Sequence, residues 1–134
     1  MNAYLFALAA VLAVIPILFL FKINIEKIKE NQENIGKIQT NFFIGVAIAE
    51  AIPIILIVFG MLDLSPVSSI DELIIPGIIV IFSMLFAAFF IFLQRSVGVP
   101  EEAKQAATTF SAIGLAMANA IPIVSLVSLI MMMP

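Results

Sequence analysis

Four long runs of apolar residues constrain this chain of 134 residues more than any other feature. Each run holds about 20 residues or slightly more, enough for a helix to cross a hydrocarbon core of about 30 Å. Backbone groups in hydrocarbon must find hydrogen bonds inside the segment, and the runs lack the alternation of barrel strands. We therefore predict an all-α membrane protein with four transmembrane helices. The runs are Ala3–Phe21, Phe42–Leu62, Leu73–Leu93 and Phe110–Met133.

Composition narrows the classes of function. The chain is 63% hydrophobic and only 11% charged, which does not describe a soluble domain. Cysteine is absent, which excludes disulfides and thiolate metal sites, and histidine, the commonest metal ligand, is absent too. No basic patch indicates nucleic acid. We expect no metal, no cofactor, no nucleic-acid partner and no catalysis by the chain alone.

The positive charges predict the orientation. All six Lys and Arg fall in the first and third connections, and the middle connection has none. By the positive-inside rule, we expect loops 22–39 and 94–109 to be cytoplasmic, with both termini and the middle loop outside. Because Lys22 follows the first run and no basic residue precedes it, we interpret that run as a retained helix rather than a signal peptide. We expect an integral protein of a bacterial or archaeal cell membrane.

Glu50 is the only ionisable side chain inside any of the four runs. A charged side chain at bilayer depth costs roughly 2.5–3.5 kcal/mol even on lenient insertion scales, so such residues usually carry function. The alternative is a protonated Glu50 that hydrogen-bonds across a helix interface. Pro53 removes a backbone donor one turn later and leaves the carbonyl of Ala49 free, so a bend is expected there.

The second half of the chain repeats the first. With a shift of 69 residues, Ile44–Ile54 matches Ile113–Ile123 at eight of eleven positions. We therefore predict two tandem helical hairpins, residues 1–64 and 65–134, that enter the membrane from the same side. Glu50 is replaced by Asn119 in the second copy, and Pro122 repeats Pro53. Since an amide cannot titrate, Asn119 marks a degenerate second site.

Small residues recur at spacings of four in both copies. Gly45, Ala47, Gly114 and Ala116 each begin a small-xxx-small pair. Such pairs allow close approach of helix backbones where hydrophobicity supplies no driving force. We predict that these positions support helix packing, and we extend the expected bend to Pro122.

The segment Asn41–Ile55, which reads Asn-Phe-Phe-Ile-Gly-Val-Ala-Ile-Ala-Glu-Ala-Ile-Pro-Ile-Ile, resembles the outer helix of the proton-carrying c subunit of rotary ATP synthases. The two-hairpin form with one carboxylate is similar to the duplicated proteolipids of vacuolar-type ATPases. The resemblance implies a homo-oligomeric ring in lipid, with Glu50 as the proton-binding residue supported by Ala49 and Pro53. It also implies a stator subunit that supplies an arginine, and a central stalk at the cytoplasmic loops.

The chain departs from the family pattern in two places. The family's glycine-rich inner helix is here a helix with alanines, and its Arg-Gln-Pro turn is replaced by Asn31-Gln32-Glu33. These departures favour an alternative, a structural or accessory membrane oligomer of c-subunit descent that does not drive ATP synthesis. A third hypothesis, a carrier with Glu50 as its substrate site, lacks a further polar cluster within the apolar runs. We prefer the rotor subunit.

A proton is the favoured ion. A sodium site needs several oxygen ligands. No Ser or Thr adjoins Glu50 in the sequence, and the first apolar run holds no Gln. The neutral acid would cross lipid and ionise only beside a cation. Since no Lys or Arg lies in the four runs, a second protein must supply that cation.

Overall fold

A computed structural model describes residues 2–134, apart from the side chains of Asn2 and Gln32. The described elements are all helical. The α-helices are α1 (Asn2–Glu30), α2 (Ile35–Ala49), α3 (Ala51–Leu62), α4 (Asp71–Ser96) and α5 (Lys104–Met131), and two 3₁₀ turns lie at Gln32–Asn34 and Glu101–Ala103.

Four helical segments within residues 2–134 are long and apolar enough to cross a membrane. Helices α2 and α3 together form one of them, because only the irregular residue Glu50 separates them. The segments hold 28, 28, 26 and 31 residues, which exceeds the about 20 needed for a hydrocarbon core. The predicted fold class, an all-α membrane protein with four transmembrane helices, is confirmed.

The first hairpin turns at a polar apex beyond the apolar runs. Helix α1 continues past Phe21 to Glu30, and α2 begins at Ile35. The Asn31 side chain caps the 3₁₀ turn by accepting a hydrogen bond of 3.1 Å from the backbone N–H of Glu33. Ile28 is buried at the base of this apex, so the polar turn stands on packed side chains.

The second hairpin turns differently. Helix α4 ends at Ser96, and Gly98 adopts a positive φ of 67° just beyond it. A glycine in the left-handed region is the usual way to end a helix, because other residues are strained there. Pro100 follows, and a residue that precedes proline disfavours helix. The loop therefore leaves the helix sooner here than in the first hairpin.

The helix boundaries of the two hairpins are offset by 69 residues, the shift found in the sequence. The offset holds for the starts of α1 and α4, for both 3₁₀ turns, for the starts of α2 and α5, and for the ends of α3 and α5. The first helix of each hairpin is the exception at its end, since Gly98 and Pro100 stop α4 early. A residue and the residue 69 positions later are called counterparts below.

Helix α1 is the centre of the bundle. It packs against α2, α3, α4 and α5, whereas α2 and α3 lie mainly against α1, and α4 lies against α1 and α5. The α1 face that makes these contacts is rich in alanine, which lets the helices approach closely. Its buried residues in the first half are Ala3, Phe6, Ala7, Ala9, Ala10 and Ala13.

An aromatic cluster joins the two hairpins near the apex. Phe21 of α1 stacks on Phe110 of α5 with ring centroids 5.2 Å apart. Phe42 of α2 meets Phe110 edge to face at 4.9 Å. All three rings are fully buried. Aromatic pairs in these geometries contribute about 0.5–1.5 kcal/mol beyond the area that they bury.

Candidate functional site

Glu50 occupies the junction between α2 and α3. Its backbone keeps near-helical angles, φ −82° and ψ −7°, and its N–H donates to the carbonyl of Val46 at 2.9 Å. Its own carbonyl accepts from the N–H of Ile54 at 2.9 Å. Because Pro53 has no N–H, the carbonyl of Ala49 lacks its usual donor four residues later. The helix is thus irregular at the residue that bears the carboxyl.

The irregularity predicted for both prolines is found in the first copy alone. The assignment of helix breaks at Glu50, three residues before Pro53, whereas α5 continues through Pro122 to Met131. Both prolines are buried. Helix α5 packs against both α1 and α4, and those contacts hold its backbone in regular helix around Pro122.

The Glu50 side chain is partly buried, with one carboxyl oxygen turned into the protein. Among the residues that the structure describes, none hydrogen-bonds to this buried atom, Oε1. A buried oxygen without a partner is far more costly when it is charged than when it is neutral. The protonated carboxyl is therefore the form that suits this environment.

Asn119 lies at the matching place on α5. It is also partly buried, and within residues 2–134 its Oδ1 is likewise buried without a hydrogen-bond partner. The preceding alanine differs in exposure, since Ala118 is fully buried and Ala49 only partly. The two sites are thus alike in local geometry and differ in their chemistry and in the packing of one flank.

The small residues divide into two groups. Gly45 and Gly114 face α1 of the same chain, where Leu20 lies against Gly45 and Phe21 against Gly114. Ala47 and Ala116 are exposed on the outer side of their helices. The close contacts at the two glycines are therefore contacts within one chain.

Comparison with known proteins identifies the family. The chain is 47% identical over 55 residues to a protein named ATP synthase subunit c from Alkalihalobacillus alcalophilus. The match covers 41% of this chain and 78% of that relative. This chain belongs to the ATP synthase subunit c family. No family model matches the chain, and no solved structure matches it.

The match in length fits the fold of this subunit c relative. The 55 matched residues are close to the extent of one hairpin, such as the first, which runs from Asn2 to Leu62. Four helices able to span a membrane and the likeness to subunit c together make the chain an integral membrane protein.

Two further features of this c-subunit family member were not found from the sequence. One is the aromatic cluster of Phe21, Phe42 and Phe110 described above. The other is a set of buried hydroxyls on α5, in which Ser125 and Ser111 have no hydrogen-bond partner among the described residues. Twelve phenylalanines and no alignment gave the sequence no means to separate buried rings from lipid-facing ones. A spacing of 14 residues, which returns a helix to the same face, was the one signal for the serines.

The polar apex of the first hairpin carries a second concave surface. A cleft of about 360 Å³ lies between the end of α1 and the start of α2, lined by Lys27, Glu30, Asn31, Asn34, Lys37, Ile38 and Asn41. Lysines and amides here surround one carboxylate, so the cleft is polar without a single dominant sign. No group of three metal-ligating side chains occurs among the described residues, at this apex or around Glu50.

Proposed function

We propose that the chain is a subunit of a membrane rotor ring and carries protons on Glu50 in a rotary ATP synthase or ATPase. The observation that carries this proposal is the partly buried Glu50 carboxyl, with its unpartnered Oε1, in a helix that can span the membrane. The family membership supports the same role, because c subunits are the ring subunits that the resemblance describes.

The carboxyl is suited to carry an ion as a neutral group. Glu50 is only partly buried, so its remaining surface is open to lipid or to another protein. A neutral acid tolerates that setting, whereas an ionised one requires water or a cation nearby. The cycle then consists of proton uptake on one side, passage as the neutral acid, and release beside a positive charge.

That positive charge comes from a second protein. The chain has six Lys and Arg, all of them in the connections or at helix ends. The two nearest to the apolar core are engaged locally: Lys22 reaches the Gln94 side chain at 3.4 Å, and the Arg95 guanidinium lies over the Phe92 ring at 5.2 Å. We propose an arginine of a stator-type membrane subunit as the partner of Glu50.

The second hairpin carries no ion in this proposal. Asn119 occupies the place of the carboxyl but cannot release a proton. One site in four transmembrane helices halves the number of ions per hairpin. A ring of such chains therefore moves fewer protons per turn and gains more torque from each.

The remaining features of the assembly follow the resemblance. We propose a homo-oligomeric ring in lipid, and a central stalk that docks at the connections 22–39 and 94–109 on the cytoplasmic side. We also propose that residues 1–64 and 65–134 arose by tandem duplication, which the shared helix boundaries support. Gly45, Ala47, Gly114 and Ala116 support helix packing in this arrangement.

The test is proton transport by Glu50→Gln in native membranes. The amide is close in size and cannot titrate, so assembly should persist while ATP-driven proton pumping is lost. Asp71→Asn, which removes an exposed carboxylate at the other end of the bundle, is the matched control and should pump normally. Full pumping by Glu50→Gln would exclude the mechanism and leave the structural or accessory oligomer.

A further inference from the structure

The two hairpins bury the same positions to different extents. On α2 and α3, one stripe of side chains is exposed: Asn41, Ile48, Ile52 and Phe59. These residues share one helical face because they are 7, 4 and 7 positions apart. Their counterparts on α5 are buried or partly buried: Phe110, Met117, Ile121 and Ser128. We call the exposed set stripe A.

A second stripe shows the same contrast on the first helix of each hairpin. Four residues of α1 are 0% exposed, namely Phe6, Ala9, Ala13 and Ile17. Their counterparts on α4 are at least half exposed, namely Ile75 at 58%, Ile78 at 59%, Phe82 at 66% and Phe86 at 50%. We call this exposed set on α4 stripe B.

The buried members of both sets lie in helices that pack against each other. Helices α1 and α5 share the largest contact in the bundle, and it joins the first hairpin to the second. Stripe B is the counterpart of the α1 side of this contact, and stripe A is the counterpart of the α5 side. Two copies placed head to tail therefore continue the internal packing across their boundary, with α4 of one copy against α2 and α3 of the next.

We infer that stripes A and B form the interface between successive copies, and that Asn41 of one copy hydrogen-bonds to Ser111 of its neighbour there. The inference rests on the ring proposed above and names its contacts. It also places the neighbour's Phe90, the counterpart of Phe21, on Gly45, because Phe21 lies on Gly114 within the chain. The helix that bears Glu50 is then covered by a second copy.

The polar pair comes from the aromatic cluster. Phe42 and Phe110 meet across the internal boundary with ring centroids 4.9 Å apart. Their counterparts across the boundary between copies are Ser111 and Asn41. Both replacements are polar, and an amide and a hydroxyl can hydrogen-bond where two rings would stack. A contact between apolar rings inside the chain thus becomes a polar contact between chains.

Ser111 shows the need for that partner. It is only 3% exposed, and among the described residues none hydrogen-bonds to its hydroxyl. It lines a crevice of about 630 Å³ between α4 and α5, whose walls include Phe89, Phe92 and Leu115. In the first hairpin, the ring of Phe42 occupies the corresponding position. The crevice therefore exists where a phenylalanine has been replaced by serine, and it is open to a side chain from outside.

The test uses cysteine pairs, because the natural chain has no cysteine to interfere. A chain with Asn41→Cys and Ser111→Cys is oxidised in native membranes and separated on a denaturing gel. Each copy then carries one cysteine for each side of the interface. The expected result is a ladder of covalent dimers, trimers and larger multimers, whereas either single variant should give no ladder.

Two controls accompany this pair. Phe43→Cys with Ser111→Cys places the first thiol two residues further along α2, about 200° around the helix, and should give no ladder. Phe42→Cys with Phe110→Cys should link within one chain and leave the monomer band, which shows that the oxidant reaches this depth.

Three results would overturn the inference: no multimers from the 41–111 pair, a reaction that stops at dimers, or an equal ladder from the 43–111 control. A lipid that occupies the crevice would give the first of these. The mass of the unoxidised assembly in mild detergent separates this failure from failure of the proposed function. A large oligomer without the 41–111 link rejects the named contact alone, while a monomer rejects the ring as well.

Discussion

Phe21 fills the space that a side chain on Gly114 would need: a Cβ built on Gly114 would lie 2.5 Å from Cδ1 of Phe21. Phe21 cannot move aside easily, because it is fully buried and stacks on Phe110 at 5.2 Å. This contact fixes the distance between α1 and α5, and with it the position of Asn119 one turn further along.

Gly114→Ala should therefore destabilise the chain. Overpacking in a filled core costs about 1–3 kcal/mol. The measurement is the free energy of unfolding in mixed detergent micelles. Gly77→Ala is the control, because no atom lies within 4 Å of a Cβ at that position of α4. Alanine is the better helix former by up to about 1 kcal/mol, so this control should be neutral or stabilising. Equal losses from both variants would contradict the close contact.

Gly45→Ala should fall between these two. Its Cβ would lie 3.1 Å from two methyl carbons of Leu20, which is the far end of a flexible side chain. A small rotation of Leu20 relieves the contact, so the loss should be under about 1 kcal/mol, below the overpacking range. The same unfolding measurement tests the order of the three glycine variants. A larger loss at Gly45 than at Gly114 would show that α1 is held more tightly to α2 than to α5.

Ser125→Ala should leave the chain as stable as before or more stable. The Ser125 hydroxyl is fully buried and has no hydrogen-bond partner among the described residues. Removal of an unsatisfied buried group relieves a cost of about 1–3 kcal/mol, less the cost of a small cavity. Ser128→Ala is the matched comparison, since that hydroxyl donates to the carbonyl of Val124 at 2.8 Å. We expect Ser125→Ala to be the more stable of the two by unfolding, and the reverse order would contradict this account of Ser125.

Asn119→Ala should have little effect on proton pumping. The amide cannot titrate, and its Oδ1 lacks a hydrogen-bond partner within the described part of the chain. An interhelical hydrogen bond in a membrane contributes about 2 kcal/mol at most, so even a contact supplied by a second copy should cost only part of the assembly's stability. Pumping rate and the mass of the assembly are measured together. A loss of pumping as complete as in Glu50→Gln would show that the second site takes part in transport.

The sequence predicted the features that depend on the bilayer and on periodicity. Four runs of sufficient length gave the helices, and the polar residues after Phe21 correctly placed the apex beyond the membrane. The register of the repeat anticipated the shared boundaries. In each case the sequence changes from apolar to polar at the place where the structure changes, so the signal lies in the residues themselves.

The side on which each apolar residue lies could not be predicted. In a membrane, lipid and helix neighbours are equally apolar, so hydrophobicity does not distinguish Ile17, which is buried, from Phe19, which is 67% exposed. The partners of Gly45 and Gly114 were hidden for the same reason. The difference between Pro53 and Pro122 depends on how firmly each helix is held by its neighbours, which no local pattern records.

The central claim is that Glu50 is a protonated, lipid-accessible carboxyl, and its reaction with a hydrophobic carbodiimide in native membranes tests this most directly. Such reagents attack the protonated acid, and mass spectrometry of the digested chain locates the adduct. The account predicts selective labelling of Glu50 at neutral pH, no labelling of the chain in Glu50→Gln, and unchanged labelling of Glu50 in Asn119→Ala. An unlabelled Glu50 at every pH tested would contradict the account, because the carboxyl would then be sealed in a helix interface and could not exchange protons.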